Sequence, residues 1–269
     1  MKKFIENSSK GDFYHTHLST ITNPSYISLF SKLTNSITGT IPFGNHQNSP
    51  SFFHLPSFLE SATNPEQQTF GNEPLPPSAL PLALKEATTM RKAEYDCLLK
   101  FYKIEYDDET LCSAKTMLRH RIFANDRIQK IASINLLRQV YKGGEGLIMR
   151  GSYIQAKYIE TNNNSKGIYA GCIKYLFTHN FTLNPIYTDL HACHNPKHVF
   201  AFIEWYQIPC HQPKINQGIK LYDAAFLKYD YDNILPVHRI LSPIPIGSHV
   251  SGSGTANVIV IPLPRKLYA

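Results

Sequence analysis

A chain of 269 residues with 42% apolar and 17% charged content is globular on average and long enough for one large domain or two small ones. Its apolar runs fall far short of the roughly 18 residues that a membrane-spanning helix needs, and Met1-Lys-Lys-Phe-Ile-Glu turns polar at Asn7 before any signal core develops. An intracellular chain is therefore expected. The formal net charge of +7 brings nucleic acid into consideration as a partner, and five cysteines without framework spacing read as free thiols.

The average hides a break. Residues 1–84 hold nine of the 18 prolines and are dense in Ser, Thr and Asn, whereas residues 82–184 contain no proline at all. Residues 1–87 are accordingly read as a largely irregular tail, with aromatic islands such as Ser51-Phe-Phe-His-Leu-Pro-Ser-Phe-Leu59 that would pack as a strap or fold on a partner. From 88 to 104, Tyr95, Leu98, Leu99 and Tyr102 fall at i, i+3, i+4 and i+7, which predicts an amphipathic helix. A helical segment is expected over 88–127. Between 108 and 141 the pattern is ambiguous, since Ile128, Ile131, Ile134 and Leu136 suit either helix or strand.

The positive charge concentrates between Lys115 and Arg150, where eight basic residues face two acidic ones. Lys115, Arg119, Arg121, Arg127 and Lys130 are the residues expected at phosphates if DNA is bound, against the plainer reading of solvated element faces. Gly143-Gly-Glu-Gly146 lacks the lysine and hydroxyl of a phosphate-binding loop and reads as a connection between strands.

Beyond Arg150 the strand signal is steady. Ser152–Ile159 alternates, Thr161–Gly167 is a polar hairpin turn, Gly171–Phe177 resumes, and Val199–Tyr206 places Phe200, Phe202 and Glu204 on one face with Val199, Ala201, Ile203 and Trp205 on the other. Short strands without intervening helices predict an α+β chain whose residues 128–269 form a small antiparallel barrel. Prolines 236, 243, 245, 262 and 264 fit strand starts and edges.

Five cassettes carry a family resemblance: Ser152-Tyr-Ile-Gln-Ala-Lys, Gly171-Cys-Ile-Lys-Tyr-Leu-Phe-Thr-His179, His198-Val-Phe-Ala-Phe-Ile-Glu-Trp-Tyr206, Ile234-Leu-Pro-Val-His-Arg-Ile240 and Val260-Ile-Pro-Leu-Pro-Arg-Lys266. In this order, over residues 90–269, they resemble the C-terminal accessory region of transposase-type open reading frames in fungal mobile elements, particularly En/Spm-like ones. The resemblance implies a non-catalytic region in a mobile-element context. The strand order is also similar to bromo-adjacent homology (BAH) modules, SH3-like barrels that bind chromatin proteins, and a nuclear location follows from that likeness.

Candidate sites follow from residue chemistry. His191, Cys193, His194 and His198 would be the ligands of a zinc ion, but their spacing matches no standard finger, so no stoichiometric cofactor is expected. Glu204, Asp223, Asp230 and Asp232 would have to converge on one ion to serve a nuclease; Asp230–Asn233 reads better as an acidic turn. Trp205, Tyr206, His238 and Arg239 are candidates for a partner groove, with Trp205 favoured as core and Tyr206 as the aromatic that faces a ligand. The leading expectation is a non-enzymatic interaction module that contacts chromatin protein or nucleic acid. The alternatives are a metal-dependent nuclease or transposase remnant and a degenerate copy without function.

Overall fold

The computed structural model describes residue 58 and residues 68–113, 123–144, 151–159, 166–181, 196–209, 219–250 and 256–261. Its elements are mostly antiparallel strands with one long helix. The spine is β8 (Lys166–Asn180). One edge of β8 pairs with β7 (Tyr153–Ile159) over its first half and with β4 (Arg127–Ile131) near its end; the other pairs with β9 (Lys197–Trp205) from Gly171 to Asn180. Outer positions go to β1 (Leu84–Thr89) on β4, β11 (Ile234–Pro236) on β9 and β12 (Ile240–Pro243) on β7, giving seven strands.

Strand chemistry explains why one sheet carries two cores. Val199, Ala201, Ile203 and Trp205 pack into one cluster, and Phe200 and Phe202 into the cluster on the opposite face, as a period of two requires. The first face meets Phe58, Leu75, Ala79 and the hairpin of β5 (Ser133–Leu136) and β6 (Gln139–Lys142). The second is covered by α1 (Lys92–Glu105), which buries Leu98, Phe101 and Tyr102 against Phe177 and Phe200. Each fully buried Phe or Leu contributes roughly 2 kcal/mol of transfer free energy. A third, smaller cluster holds the sheet of β10 (Lys220–Asp223), β14 (Ala256–Val260) and β13 (Ile246–Val250) through Ala170, Tyr206, Tyr222 and Val260.

The helix ends in a Schellman motif. Asp107 adopts φ 50°, its amide bonds to Ile104 O, and the Asp108 amide reaches back to Lys103 O at 3.0 Å. At its other end α1 begins at Lys92, later than the 88 that periodicity suggests, because Thr88 and Thr89 are claimed by β1 in register with Ile128 and Arg127. The expected helical segment 88–127 is thus shorter, and the ambiguous residues Ile128, Ile131, Ile134 and Leu136 are all strand. Phe123–Ala124 forms a short strand, β3, parallel to Cys112–Ser113, β2.

Of the irregular tail expected over 1–87, residues 84–87 are instead strand β1, and from residue 68 onward the chain is docked on the sheet. Val199 N bonds to Gly71 O at 2.7 Å, the Phe70 ring stacks on Tyr106 with centroids 4.7 Å apart, and His238 donates through Nε2 to Pro74 O. Gly71 is required here, since at φ 97° a Cβ would stand 2.6 Å from the Phe200 ring.

The β5–β6 turn supplies a prediction. Leu137 and Arg138 both adopt positive φ, 53° and 67°, the conformation of a type I′ hairpin turn that favours Asn and Gly. Leu137 is held there by its burial in the core, whereas Arg138 is exposed. Arg138→Gly is therefore expected to raise the unfolding free energy by about 1 kcal/mol, read as a shift in urea midpoint at constant slope.

Candidate interaction surface

The structure separates the residues expected at phosphates. Arg127 and Lys130 differ by an odd number of strand positions and so lie on opposite faces of β4. Lys130 sits over the Tyr175 ring, 4.5 Å from its centroid, on the α1 side. Arg127 instead lines a depression of about 390 Å3 with Ala87, Asn125, Ile128, Gln129, Thr178 and Asn180. The two cations do not share one surface. Lys115, Arg119 and Arg121 lie outside the described residues, as do His191, Cys193 and His194.

His198, the remaining candidate zinc ligand, is buried and has both ring nitrogens in use. Pro196 O can only accept, so Nδ1–H donates to it at 3.0 Å and Nε2 accepts from the Tyr106 hydroxyl at 2.9 Å. Its cross-strand neighbour His179 repeats the arrangement: Nε2–H donates to Asn125 O at 2.9 Å and Nδ1 accepts from Tyr102 at 2.8 Å. Burial pulls both imidazoles down to a pKa of about 4. Among the described residues no three His, Cys, Asp or Glu side chains stand in position to hold a metal ion.

Of the expected groove residues, Trp205 is core and donates through Nε1 to Asp232 O at 2.8 Å. Tyr206, expected to face a ligand, is instead buried in the third cluster beneath the Phe226 ring. His238 belongs to a short 3-10 turn, Val237–Arg239, rather than to a strand, and is fully buried between the Phe58 ring and the 68–79 segment. Burial lowers its pKa against the pull of Glu73. Arg239 is half-buried, with Glu105 and Glu73 as its neighbouring charges.

Among the described residues, a dense cluster of charged and hydroxyl groups lies at a position without a sequence motif. β8 and β9 lose register between Ile173 and Tyr175, a bulge that leaves Lys174 as the extra residue. It resets the faces, so that Ile173 and Leu176 point into one core and Tyr175 and Phe177 into the other. The Lys174 ammonium donates to the Tyr229 hydroxyl at 2.7 Å, lies 3.1 Å from Glu94 Oε1 and 3.7 Å from Glu204 Oε1, and stands 5.0 Å and 5.6 Å from the ring centroids of Tyr229 and Phe202. Tyr175 donates to the other Glu94 oxygen at 2.9 Å, and Tyr229 to Glu204 at 2.6 Å. Burial lowers the Lys174 pKa, but the bonds to Tyr229 and Glu94 outweigh it and leave the net shift upward. A lysine standing before three consecutive apolar residues, Tyr175-Leu-Phe177, is the one trace of this bulge in the sequence.

Beside this cluster runs an exposed strip. Asp223 N bonds to Gln207 O, Gln207 N to Ala225 O and Leu227 N to Trp205 O, so residues 223–227 lie along the end of β9 by backbone bonds. Residues 224–229, Ala-Ala-Phe-Leu-Lys-Tyr, are all exposed. Phe226, Leu227 and Tyr229 leave 42%, 40% and 38% of their surface open, next to Ile208 at 44%. Beyond the strip, Asp230 accepts from Tyr231 N at 2.7 Å and Asn233 Oδ1 from Asp230 N at 2.6 Å, which forms the acidic turn expected before Ile234. Lys100 pairs with Asp230 at 2.6 Å and lies over the Tyr231 ring. Burial, reinforced by Asp230, pushes Asp232 up to a pKa of about 6.

Compared with known proteins, the chain matches no family model, no curated protein and no solved structure. Among the described residues no helix is long and apolar enough to cross a membrane.

Proposed function

We propose that the chain is a non-enzymatic interaction module of mobile-element origin that works in the nucleus on chromatin protein, with its sheet as the wall of a small SH3- or BAH-like barrel. The observation that carries this reading is the apolar strip of Ile208, Phe226, Leu227 and Tyr229, since large side chains left open together on a folded surface mark contact sites more often than they mark chance. The reactive groups nearby support it: Lys174, Glu94, Glu204 and Tyr229 saturate one another, which suits a rigid binding face. The cysteines at 97 and 172 support it as well, because burial raises both thiols to a pKa of about 11 and keeps them from acting as nucleophiles at neutral pH. The mobile-element context rests on the five ordered cassettes.

Contact with DNA is the second reading, favoured by the exposed Arg127 at this depression. A phosphate contact releases condensed counterions, so loss of one contact reduces the log–log salt slope of binding by about 0.9. Titration of duplex DNA over a salt series separates the two readings. If DNA is bound, Arg127→Ala is expected to flatten the slope by that amount and Lys130→Ala to leave it unchanged. Equal effects of the two variants would overturn the assignment of opposite faces, and no binding at about 50 mM salt would leave the protein partner alone.

A further inference from the structure

Resting on the reading of the chain as an interaction module, we infer that the strip 224–229 and the acidic turn beside it form a docking surface for an extended, basic peptide segment bearing lysine or arginine next to an aliphatic residue. Three observations carry this. The strip offers exposed apolar and aromatic area, with Phe226 and Tyr229 each backed by a buried ring, Tyr206 and Phe202, so they are held in place before any partner arrives. Rigid aromatic anchors of this type cost little entropy on binding.

The charge around it has the opposite sign to the chain as a whole. Asp96, Glu94, Asp230 and Asp232 act on one buried thiol, Cys97, and so share a neighbourhood; Glu204 and Asp223 border the strip itself. The cations near these carboxylates include Lys100 and Lys174, both already paired with carboxylates, Lys130 over the Tyr175 ring, and Lys228 within the strip. Asp223 and Asp232 have no ion pair among the described residues. A chain with formal charge +7 that sets several carboxylates beside an exposed apolar strip presents that strip to a cationic partner and repels nucleic acid from it.

The surface also displays the contact it would make. Lys100 and Lys174, though on different elements, are held in the same way: an ammonium against a carboxylate and over an aromatic face, Asp230 with Tyr231 in one case and Glu94 and Glu204 with Tyr229 and Phe202 in the other. Phe226, with its open ring beside Tyr206, and Asp223, whose amide bonds to Gln207 next to Tyr206, bring the same two components to the strip.

Selection of a random 12-residue peptide library on the full chain tests this, because the library favours no composition at the start. Enriched peptides are expected to be basic and to carry lysine or arginine next to an aliphatic residue. An enriched peptide, resynthesised with a fluorophore, should bind about tenfold more weakly to Asp223→Asn/Asp232→Asn and to Phe226→Ser/Leu227→Ser, and more weakly as salt is raised. Unchanged Trp205 emission and a thermal midpoint no lower than the parent's in the charge-neutral Asp pair would show that the fold is intact. Enriched peptides of acidic or neutral composition, or basic ones whose binding ignores all four substitutions, would overturn this inference and leave the module reading standing. No enrichment over an unrelated protein would overturn both.

Discussion

Lowering the pH from 7 to 5 is expected to take about 3 kcal/mol from the unfolding free energy. His179 and His198 are kept neutral in the folded chain, each with one nitrogen donating to a backbone carbonyl and the other accepting from a tyrosine, Tyr102 of α1 or Tyr106 at its C-cap. Their folded pKa of about 4 stands below the ordinary 6.5. Between those two values the unfolded chain binds protons that the folded chain refuses, so stability is full above pH 6.5 and falls as the pH drops toward 4. At pH 5 each histidine forfeits about 2 kcal/mol. His238, buried and likewise lowered, adds in the same direction. Asp232 opposes them: its folded pKa of about 6 lies above the ordinary 3.8, so its protonation returns about 1 kcal/mol over the same range. Against a typical stability of about 5–15 kcal/mol the net loss is large. Urea unfolding followed by Trp205 emission at both pH values measures it. In His179→Gln/His198→Gln, whose amides can donate to the same carbonyls and accept from the same hydroxyls, the difference should shrink to about 1 kcal/mol or less. A double variant as acid-sensitive as the parent would refute the assignment.

The strand pattern was legible because it depends on local alternation. Val199 to Trp205 sort onto two faces by parity alone, and the structure sorts them the same way. The acidic turn at Asp230–Asn233 was legible for a similar reason, as its side chains cap their own backbone. What escaped depends on partners far away in sequence. Thr88 and Thr89 leave the helical pattern because β4, some forty residues on, takes them as strand. Tyr206 looks ligand-facing until Tyr222 and Phe226 are found to cover it. Grouping Arg127 with Lys130 counted charge per stretch of chain and ignored the period of two that sends them to opposite faces. The bulge at Lys174 was least legible of all, since a register shift is a relation between two strands and a single strand shows only a misplaced lysine.

That lysine should be costly to remove. Glu94 leaves only 6% of its side chain exposed, and its two oxygens are held by Lys174 and by the Tyr175 hydroxyl. Lys174→Met preserves the apolar stem of the side chain but leaves a carboxylate in a buried site with one neutral donor. Removing one partner of a buried pair exacts the desolvation of the other, which sets the expected loss at about 3 kcal/mol, well above the 0–1 kcal/mol of a surface ion pair. Because the cost lies in the stranded charge, Glu94→Gln in the same background should recover most of it, and the double-mutant cycle should give a coupling of about 2 kcal/mol. A loss below about 1 kcal/mol for Lys174→Met, or no recovery in the pair, would mean that solvent reaches Glu94 and that the cluster is an ordinary surface contact. The same variant also bears on the strip: without Lys174, Tyr229 loses the donor at 2.7 Å that fixes its hydroxyl between lysine and Glu204. Hydrogen exchange of residues 224–229 should then quicken in Lys174→Met and return toward the parent rate only when a lysine is restored at 174, because Glu94→Gln relieves the buried charge and does nothing for Tyr229.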